Sequence, residues 1–309
     1  MSETDVVQWL LDGDPAIRWQ VMRDLRDEPG EVVARERSRV ANEGRGKALL
    51  DRQAPEGWWN ADDRGWMITM DACALLREMG LDPSSDAARR AVARVKANLR
   101  WKSLGNRPYF DGETEACING AILAFGSYFG ERCDRIVDRL LGEQLADGGW
   151  NCEAPQSSRS SFNSTIRVLE GLLEHERAWG VSSAVSGARR RAHEYLLERR
   201  MFRRLTTGEV VDPNWTLFSF PTAWHYDVLR GLEYLRSAGV EPDERAGEVV
   251  GLVERRRRVD GRWPMDHLHA DRLGFAFEEQ TGKESRWNTL RALRVLRWFF
   301  DGPTPISMK

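Results

Sequence analysis

A short pattern that combines a glutamine, a glycine and a tryptophan constrains the fold of this chain more than any other feature. Residues 53–59 and 144–150 both read glutamine, three residues, glycine, one residue, tryptophan. Residues 257–263 keep the glycine and the tryptophan but have Arg257 in place of glutamine. Weaker copies surround Phe110 and Trp215, so the five anchor aromatics lie 40 to 65 residues apart. A repeat of this length indicates an array of similar units, each about the size of one helical hairpin.

Helical patterns fill the sequence between these turns. Residues 14–28 begin with Asp14 as a predicted N-cap and Pro15 at the first helical position, followed by apolar residues at helical spacing. Similar patterns follow each turn, and several of them end at glycine. No segment alternates as a strand does. The sequence therefore predicts an all-α protein.

Composition and charge exclude several classes of partner. The net charge of −2 gives no reason to expect nucleic acid or an anionic membrane surface as a partner. No apolar run approaches twenty residues, so no membrane span is expected. The four cysteines show no paired spacing, and together with the lack of a signal-peptide pattern they predict free thiols in a cytoplasmic protein. No obligate protein partner is expected.

The repeated turn resembles the QW motif of the squalene-cyclase and prenyltransferase repeat family. The residues that carry the resemblance are those of the turns at 53–59, 144–150 and 261–263, each followed by a helix. The resemblance implies an α/α toroid, in which two concentric rings of helices surround a cavity. It covers residues 45–300 or so, and the first 45 residues instead have the character of a HEAT-type helix pair. We therefore expect a HEAT-like helical N-terminal cap at 1–45 and a toroid of about five QW-type repeats at 46–309.

Polar residues recur near the predicted starts of the inner helices. Asn119, Thr165, His225 and Thr289 fall at similar positions when these helices are aligned by their apolar residues. Capping of helix N-termini is one reason for such a pattern. Convergence at one mouth of the ring is the other, and on this reading Asn119, Thr165 and Thr289 contact a ligand.

Candidate acid–base groups lie near the same helix starts. His225 is the leading candidate for proton transfer, and its neighbours Tyr226 and Asp227 are placed to orient it or to tune its pKa. Asp111 and Glu115 precede another inner helix, where either capping or a role as a buried general acid is expected.

Aromatic residues and a further histidine complete the predicted site. Trp66, Trp224 and Trp287 lie at or near inner-helix starts, where they line a cavity or pack in the core. Tyr226 is assigned to the same ligand-binding set. His267 follows the third turn on a loop that is expected at the same mouth.

The resemblance implies a small, largely apolar and isoprenoid-like ligand in the central cavity, with or without acid–base chemistry. The cyclase acid motif D-x-D-D is absent, and the adjacent acids Asp62 and Asp63 have no third partner. Whether the chain is an enzyme is thus left open. One alternative is a module that sequesters a ligand or binds a protein.

A second alternative is a zinc-dependent enzyme of the prenyltransferase type. Zinc in that branch is held by an acid, a cysteine two residues later and a distant histidine. Asp71 with Cys73, or Glu115 with Cys117, would supply the first two ligands, and His225 the third. Because the histidine lies two repeats away rather than one, no metal and no cofactor are predicted.

Overall fold

A computed structural model describes residues 3–59, 65–269, 273–274, 277–278 and 280–302. The predicted all-α fold is confirmed, since the described residues contain thirteen α-helices and only one pair of two-residue strands, Arg100–Trp101 and Arg107–Pro108. The helices are α1 (Glu3–Leu11), α2 (Pro15–Asp24), α3 (Gly30–Ser38), α4 (Gly44–Leu50), α5 (Gly65–Glu78), α6 (Asp86–Asn98), α7 (Ala116–Tyr128), α8 (Asp134–Gly142), α9 (Phe162–Trp179), α10 (Ser183–Glu198), α11 (Val228–Ser237), α12 (Gly247–Arg255) and α13 (Arg286–Asp301).

The helix starts follow the capping signals in the sequence. Asp14 precedes α2, and its Oδ1 accepts a hydrogen bond of 2.9 Å from the Ala16 amide. Ser161 and Ser285 cap α9 and α13 in the same way, each by accepting the amide N–H three residues later. These bonds satisfy amide groups that the first turn of a helix leaves without a partner.

The two complete QW turns follow the outer helices α4 and α8, and each forms a hydrogen bond to the outer helix of the next unit, α6 or α10. The Gln53 Nε2 donates to the carbonyl oxygen of Gly57 in its own turn and to that of Ala91 in α6, at 3.1 and 2.9 Å. The Gln144 Nε2 repeats this arrangement, with bonds to Gly148 at 2.7 Å and to Ala188 of α10 at 2.8 Å. Each glutamine therefore fixes both its own turn and its distance to the neighbouring unit.

The glutamines bond to residues that follow them in the chain, whereas the tryptophans of the turns bond to residues that precede them. The indole nitrogens of Trp59, Trp150 and Trp263 each donate a 2.7 Å hydrogen bond to a carbonyl ten residues earlier, at the end of α4, α8 and α12 respectively. Trp150 and Trp263 are fully buried. The indole thus ties the turn to the outer helix that precedes it and fills the space beneath.

The inner helices form a closed ring. α7 packs between α5 and α9, and α11 packs between α9 and α13. α13 packs against α2. The ring closes where the side chains of Trp19 and Gln20 in α2 donate to the carbonyls of Met79 and Glu78 at the end of α5, at 2.9 and 3.2 Å.

Outer helices pack against inner helices that neighbour them in the chain, which confirms the α/α toroid. The packed pairs are α1 with α2, α4 with α5, α8 with α7, α10 with α9 and α12 with α13. The third turn meets α1 as the first two meet α6 and α10, because a Cβ on Gly261 would lie 2.8 Å from Val6. Residues 1–45 thus contribute a pair to the ring. Whether they fold as a unit separate from 46–309 stays a prediction.

Candidate functional site

Most of the predicted site residues lie at one end of the ring. The inner helices begin at this end, which we call the N-terminal mouth. Glu115 and Asp227 occupy the N-cap positions of α7 and α11, and Trp66 and Trp287 lie in the first turns of α5 and α13. The parallel inner helices bring together helix starts that are 46 to 66 residues apart in the sequence.

Three of the predicted ligand-binding side chains form hydrogen bonds with the backbone of nearby turns instead. They are Asn119, Thr165 and Thr289. The Thr165 Oγ1 accepts the Trp150 amide at 3.0 Å, and the Thr289 Oγ1 accepts the Trp263 amide at 2.9 Å. The Asn119 side chain makes two bonds to the backbone of Glu113. All three side chains are fully buried. The geometry gives them a structural role, and their predicted contact with a ligand stays a prediction.

His225 lies in the loop before α11, where a stack of imidazoles forms. Its ring lies parallel to that of His269, with centroids 3.7 Å apart and planes 6° apart. Trp224, which is 41% exposed, packs against His225, and His267 contacts the edge of His269. The stack places the predicted His225, Trp224 and His267 in contact at the mouth.

His269 pairs with Ser219, which sequence analysis did not single out. The Ser219 Oγ and the His269 Nε2 lie 3.0 Å apart. Burial, with His225 and His267 close by, lowers the pKa of His269 to about 3, so this imidazole is neutral at pH 7. A neutral imidazole can accept the proton of a neighbouring hydroxyl. The two residues are 50 positions apart, and no local signal links them.

Asp227 lies buried beneath the stack. Its Oδ1 accepts the Arg230 amide at 2.7 Å and lies 3.6 Å from the Arg291 guanidinium. Its Oδ2 has no hydrogen-bond partner among the described residues. Burial raises the pKa of Asp227 above its ordinary value despite the nearby arginine. The Ser219 carbonyl accepts from the Arg291 Nη1 at 2.9 Å, which connects Asp227 to the Ser219–His269 pair.

The aromatic residues of the predicted site divide into two groups. Trp287 stacks on Phe220 with centroids 4.2 Å apart, close to Phe277. Trp66 contacts Trp101 at the start of α5. Tyr226, by contrast, packs within the wall of the ring, where its hydroxyl donates to the Met201 carbonyl at 2.6 Å.

Acidic and basic side chains line the ring below the mouth. The Arg77 Nη1 of α5 lies 3.4 Å from a Glu174 oxygen of α9, which is two inner helices away. The Arg294 guanidinium of α13 contacts Glu233 of α11 at 2.7 Å and Asp24 of α2 at 2.9 Å. The deep part of the ring is therefore charged. A largely apolar central cavity therefore stays a prediction.

One face of α5 borders accessible space inside the ring. Met67, Asp71, Ala74 and Glu78 follow one another at helical spacing, and each is partly exposed. Every residue between them is buried except Arg77. The Glu78 side chain keeps 26% of its surface exposed even though burial raises its pKa. This face of the inner helix is therefore accessible to solvent rather than fully covered by neighbouring helices.

Glu115, Cys117 and Cys152 form a cluster of potential metal ligands beside the mouth. Their ligand atoms all lie within 4.8 Å of one another, and the Cys117 Sγ is 3.7 Å from a Glu115 oxygen. The Cys152 Sγ accepts from the Cys117 amide at 3.2 Å and from the Ser164 hydroxyl at 3.3 Å. Sequence analysis had paired Glu115 with Cys117 and missed Cys152.

The other predicted groups lie away from this cluster. Asp111 forms a partly exposed ion pair of 3.2 Å with Arg135. Cys73 is buried, and burial raises its pKa to about 12, so it is a thiol of the core. Asp62 and Asp63 lie outside the described residues. A surface groove of about 610 Å³ between α10 and the loop at 240–243 contains none of the predicted residues.

Comparisons with known proteins do not assign the chain to a family. No protein-family model matches the sequence, and no curated protein matches it. A crystal structure of a protein from Actinoplanes is 17% identical, covers 96% of this chain and 99% of its own, and has a TM-score of 0.45. The type II terpene cyclase MstE from Scytonema is 17% identical over 92% of this chain and 88% of its own, with a TM-score of 0.42.

A variant of MstE in complex with its substrate, geranylgeranyl dihydroxybenzoate, is 18% identical over 91% of this chain and 85% of its own, with a TM-score of 0.42. Identities and scores at this level establish neither a family nor an activity. Among the described residues, no helix is long and apolar enough to cross a membrane.

Proposed function

We propose that the protein binds a small molecule inside the ring, with the apolar part of that molecule at the N-terminal mouth. The observation that carries the proposal is the partly exposed face of α5, formed by Met67, Asp71, Ala74 and Glu78. Trp66 in the first turn of the same helix and Trp224 before α11 are not buried, and they supply apolar surface at the mouth. An isoprenoid is the ligand class that the QW turns favour by resemblance.

The mouth also carries groups suited to proton transfer, so we propose acid–base chemistry on the bound molecule. His225 and the Ser219–His269 pair lie at the entrance, where a ligand passes. Asp227 has no accessible oxygen with which to contact a ligand, and we assign it a positioning role through Arg291 and the start of α11. Glu115 borders the same entrance, and Asp111 lies further out.

Binding and chemistry can be tested separately. In the Ala74→Trp variant, an indole projects from the partly exposed face of α5 and fills the space. Ala93→Trp places the same group on the exposed face of the outer helix α6 and serves as the control. We expect farnesol to bind wild type and Ala93→Trp in calorimetric titrations, and not to bind Ala74→Trp. Equal binding by all three proteins overturns the proposed location.

For the chemistry, each protein is incubated with farnesol and the extract is analysed for isomers and hydration products. His225→Gln is expected to bind farnesol with wild-type affinity and to form less product. Binding without any product from wild type supports the ligand-sequestering alternative, in which the ring holds a molecule unchanged.

A zinc-dependent transferase is the second candidate function, and the Glu115–Cys117–Cys152 cluster favours it. Two thiolates and a carboxylate are a suitable set for zinc, and a 3.7 Å separation of ligand atoms is compatible with zinc–ligand bonds of about 2.0–2.3 Å. Zinc held there would activate a thiolate or polarise an oxygen of the substrate. This set replaces the predicted His225 ligand with Cys152.

Zinc content decides between the two candidates. Protein that is purified without chelator is expected to contain one zinc per chain if the second candidate is correct, and Cys152→Ser is expected to lose it. Wild type with no zinc after dialysis against a small excess of the ion contradicts the zinc-dependent alternative.

A further inference from the structure

Arg167 differs from the other arginines of the ring because no described acid forms an ion pair with it. It projects from the second turn of α9, is 4% exposed, and makes one weak contact of 3.9 Å with the Met70 sulfur of α5. Among the described residues, no ion pair joins Arg167 to a carboxylate. Arg77, Arg230 and Arg294, by comparison, each contact at least one acid.

The rest of the Arg167 guanidinium has no hydrogen-bond partner within the part of the chain that the structure describes. Its Nε and Nη1 make no hydrogen bond to a described residue. Residues from three other inner helices surround it, namely Met70 of α5, Cys117 of α7 and Arg230 of α11. Burial and the nearby Arg230 lower the pKa of Arg167, so its charge is destabilised by its surroundings.

A second donor lies one turn above on the same face of α9. The Asn163 Oδ1 accepts the Tyr226 amide at 2.7 Å, and this bond fixes the orientation of the side-chain amide. Its Nδ2 donors make no bond to a described residue, and the side chain is partly exposed. Because Asn163 and Arg167 are four residues apart on one helix, their free donors face the same part of the interior.

We infer that Asn163 and Arg167 form a subsite for a singly charged oxyanion head group, most simply a carboxylate, on the molecule that the ring binds. The inference rests on the proposed function for the identity of the apolar tail. A guanidinium pairs well with a carboxylate, and an unpaired buried charge is costly until it gains such a partner. Glu170 and Asp71 lie close enough to act on the charge of Arg167, and they disfavour head groups of higher charge.

The test compares two probes with the same tail, farnesoic acid and farnesol, in calorimetric titrations. Wild type is expected to bind the acid at least about tenfold more tightly than the alcohol. Arg167→Met is expected to lose this preference and to bind the acid and the alcohol with similar affinity. Arg190→Met, in the surface groove, is the control and should behave as wild type. Preference for the acid in Arg167→Met overturns the inference.

Further probes separate failure of the inference from failure of the proposed function. If neither farnesyl probe binds, but benzoate raises the Tm of wild type and not of Arg167→Met, the anion subsite stands and the isoprenoid ligand is wrong. If both farnesyl probes bind wild type equally, the proposed function stands and the subsite is overturned. Farnesyl phosphate binding more tightly than farnesoic acid contradicts a singly charged head group.

A second readout does not depend on any ligand. Because Arg167→Met removes a buried charge that lacks a partner, the ligand-free variant should melt at a Tm roughly 2–5 °C above that of wild type. A lower Tm for the variant shows that Arg167 stabilises the wall of the ring, which contradicts a subsite role.

Discussion

Glu170 and Arg230 form a bidentate ion pair that joins α9 to α11 inside the ring. The Arg230 Nε and Nη2 each lie 2.8 Å from one of the two Glu170 carboxylate oxygens. The Glu170 carboxylate also lies 4.0 Å from Arg77 of α5. Paired charges therefore connect inner helices across the interior. Arg167 differs from them because no described carboxylate forms an ion pair with it.

The first prediction concerns this pair. Glu170→Leu leaves the Arg230 guanidinium buried without its carboxylate, and we expect the free energy of unfolding to fall by about 3 kcal/mol. Replacing both residues with leucine removes the unpaired charge, so the double variant should be closer to wild type than the single one. Urea denaturation measures all three proteins. A single variant that is as stable as wild type shows that the pair behaves like an exposed surface pair.

The second prediction concerns the glycine of the QW turn. Gly148 has φ +97°, and a Cβ there would lie 2.5 Å from the Arg191 carbonyl oxygen of α10. Gly180 has a similar φ of +93° with no atom near a Cβ. We expect Gly180→Ala to cost about 1 kcal/mol of stability through backbone strain, and Gly148→Ala to cost about 3 kcal/mol. Equal losses in thermal or urea unfolding would indicate that close contact with α10 is unimportant.

The third prediction concerns pH. The Glu278 carboxylate accepts the Trp287 amide at 3.0 Å and a hydrogen bond from Ser285 at the start of α13, and burial raises its pKa from 4.5 to about 7. The folded protein therefore binds more protons than the unfolded chain between these two pH values. Relative to Glu278→Gln, wild type should lose stability as pH rises from about 4.5 to 7, by up to about 3 kcal/mol, and then level off.

Unfolding curves of both proteins, collected across this pH range, provide the comparison. The difference between wild type and Glu278→Gln isolates this carboxyl from the other titrating groups. A difference that stays constant from pH 4.5 to 8 contradicts a raised pKa at Glu278.

The fourth prediction concerns the cysteines. Hydrogen bonds from Cys117 and Ser164 lower the pKa of Cys152 to about 7, whereas burial raises the pKa values of Cys73 and Cys133 to about 12. Iodoacetamide should therefore modify Cys152 first in the folded protein, with a rate that rises to half its maximum near pH 7. Peptide mass spectrometry identifies the modified residue, and Cys152→Ser is the control. Faster modification of Cys133 than of Cys152 is the contrary result.

The resemblance of the turns to the QW motif was sufficient to predict the toroid, and their spacing predicted an array of helical hairpins. Glutamine, glycine and tryptophan recur because each unit meets its neighbours through the same hydrogen bonds, as in the bonds from Gln144 to Gly148 and Ala188. The sequence did not identify the partner of the third turn. That partner is α1, whose Val6 is 255 positions from Gly261, and no local pattern encodes a contact at such a distance.

Prediction of the site was less complete. Residues at helix starts, such as Glu115 and Asp227, were placed at the mouth because parallel inner helices begin at one end. The charged interior was not predicted, because arginine and glutamate three or four residues apart are also typical of solvated helix faces. Their burial becomes visible only when inner helices from distant repeats enclose them, as α5, α7 and α11 enclose Arg167 of α9.

Native mass spectrometry of the freshly purified protein tests the central claim most directly. The claim is that the interior of the ring binds a small molecule, and the mass of the denatured chain provides the reference. We predict an adduct of a few hundred daltons on wild type and on Ala93→Trp, and none on Ala74→Trp. Extraction should identify the adduct as an apolar molecule with one carboxylate. An adduct that persists on Ala74→Trp, or a bare wild-type chain that also fails to bind farnesol and farnesoic acid, contradicts the claim.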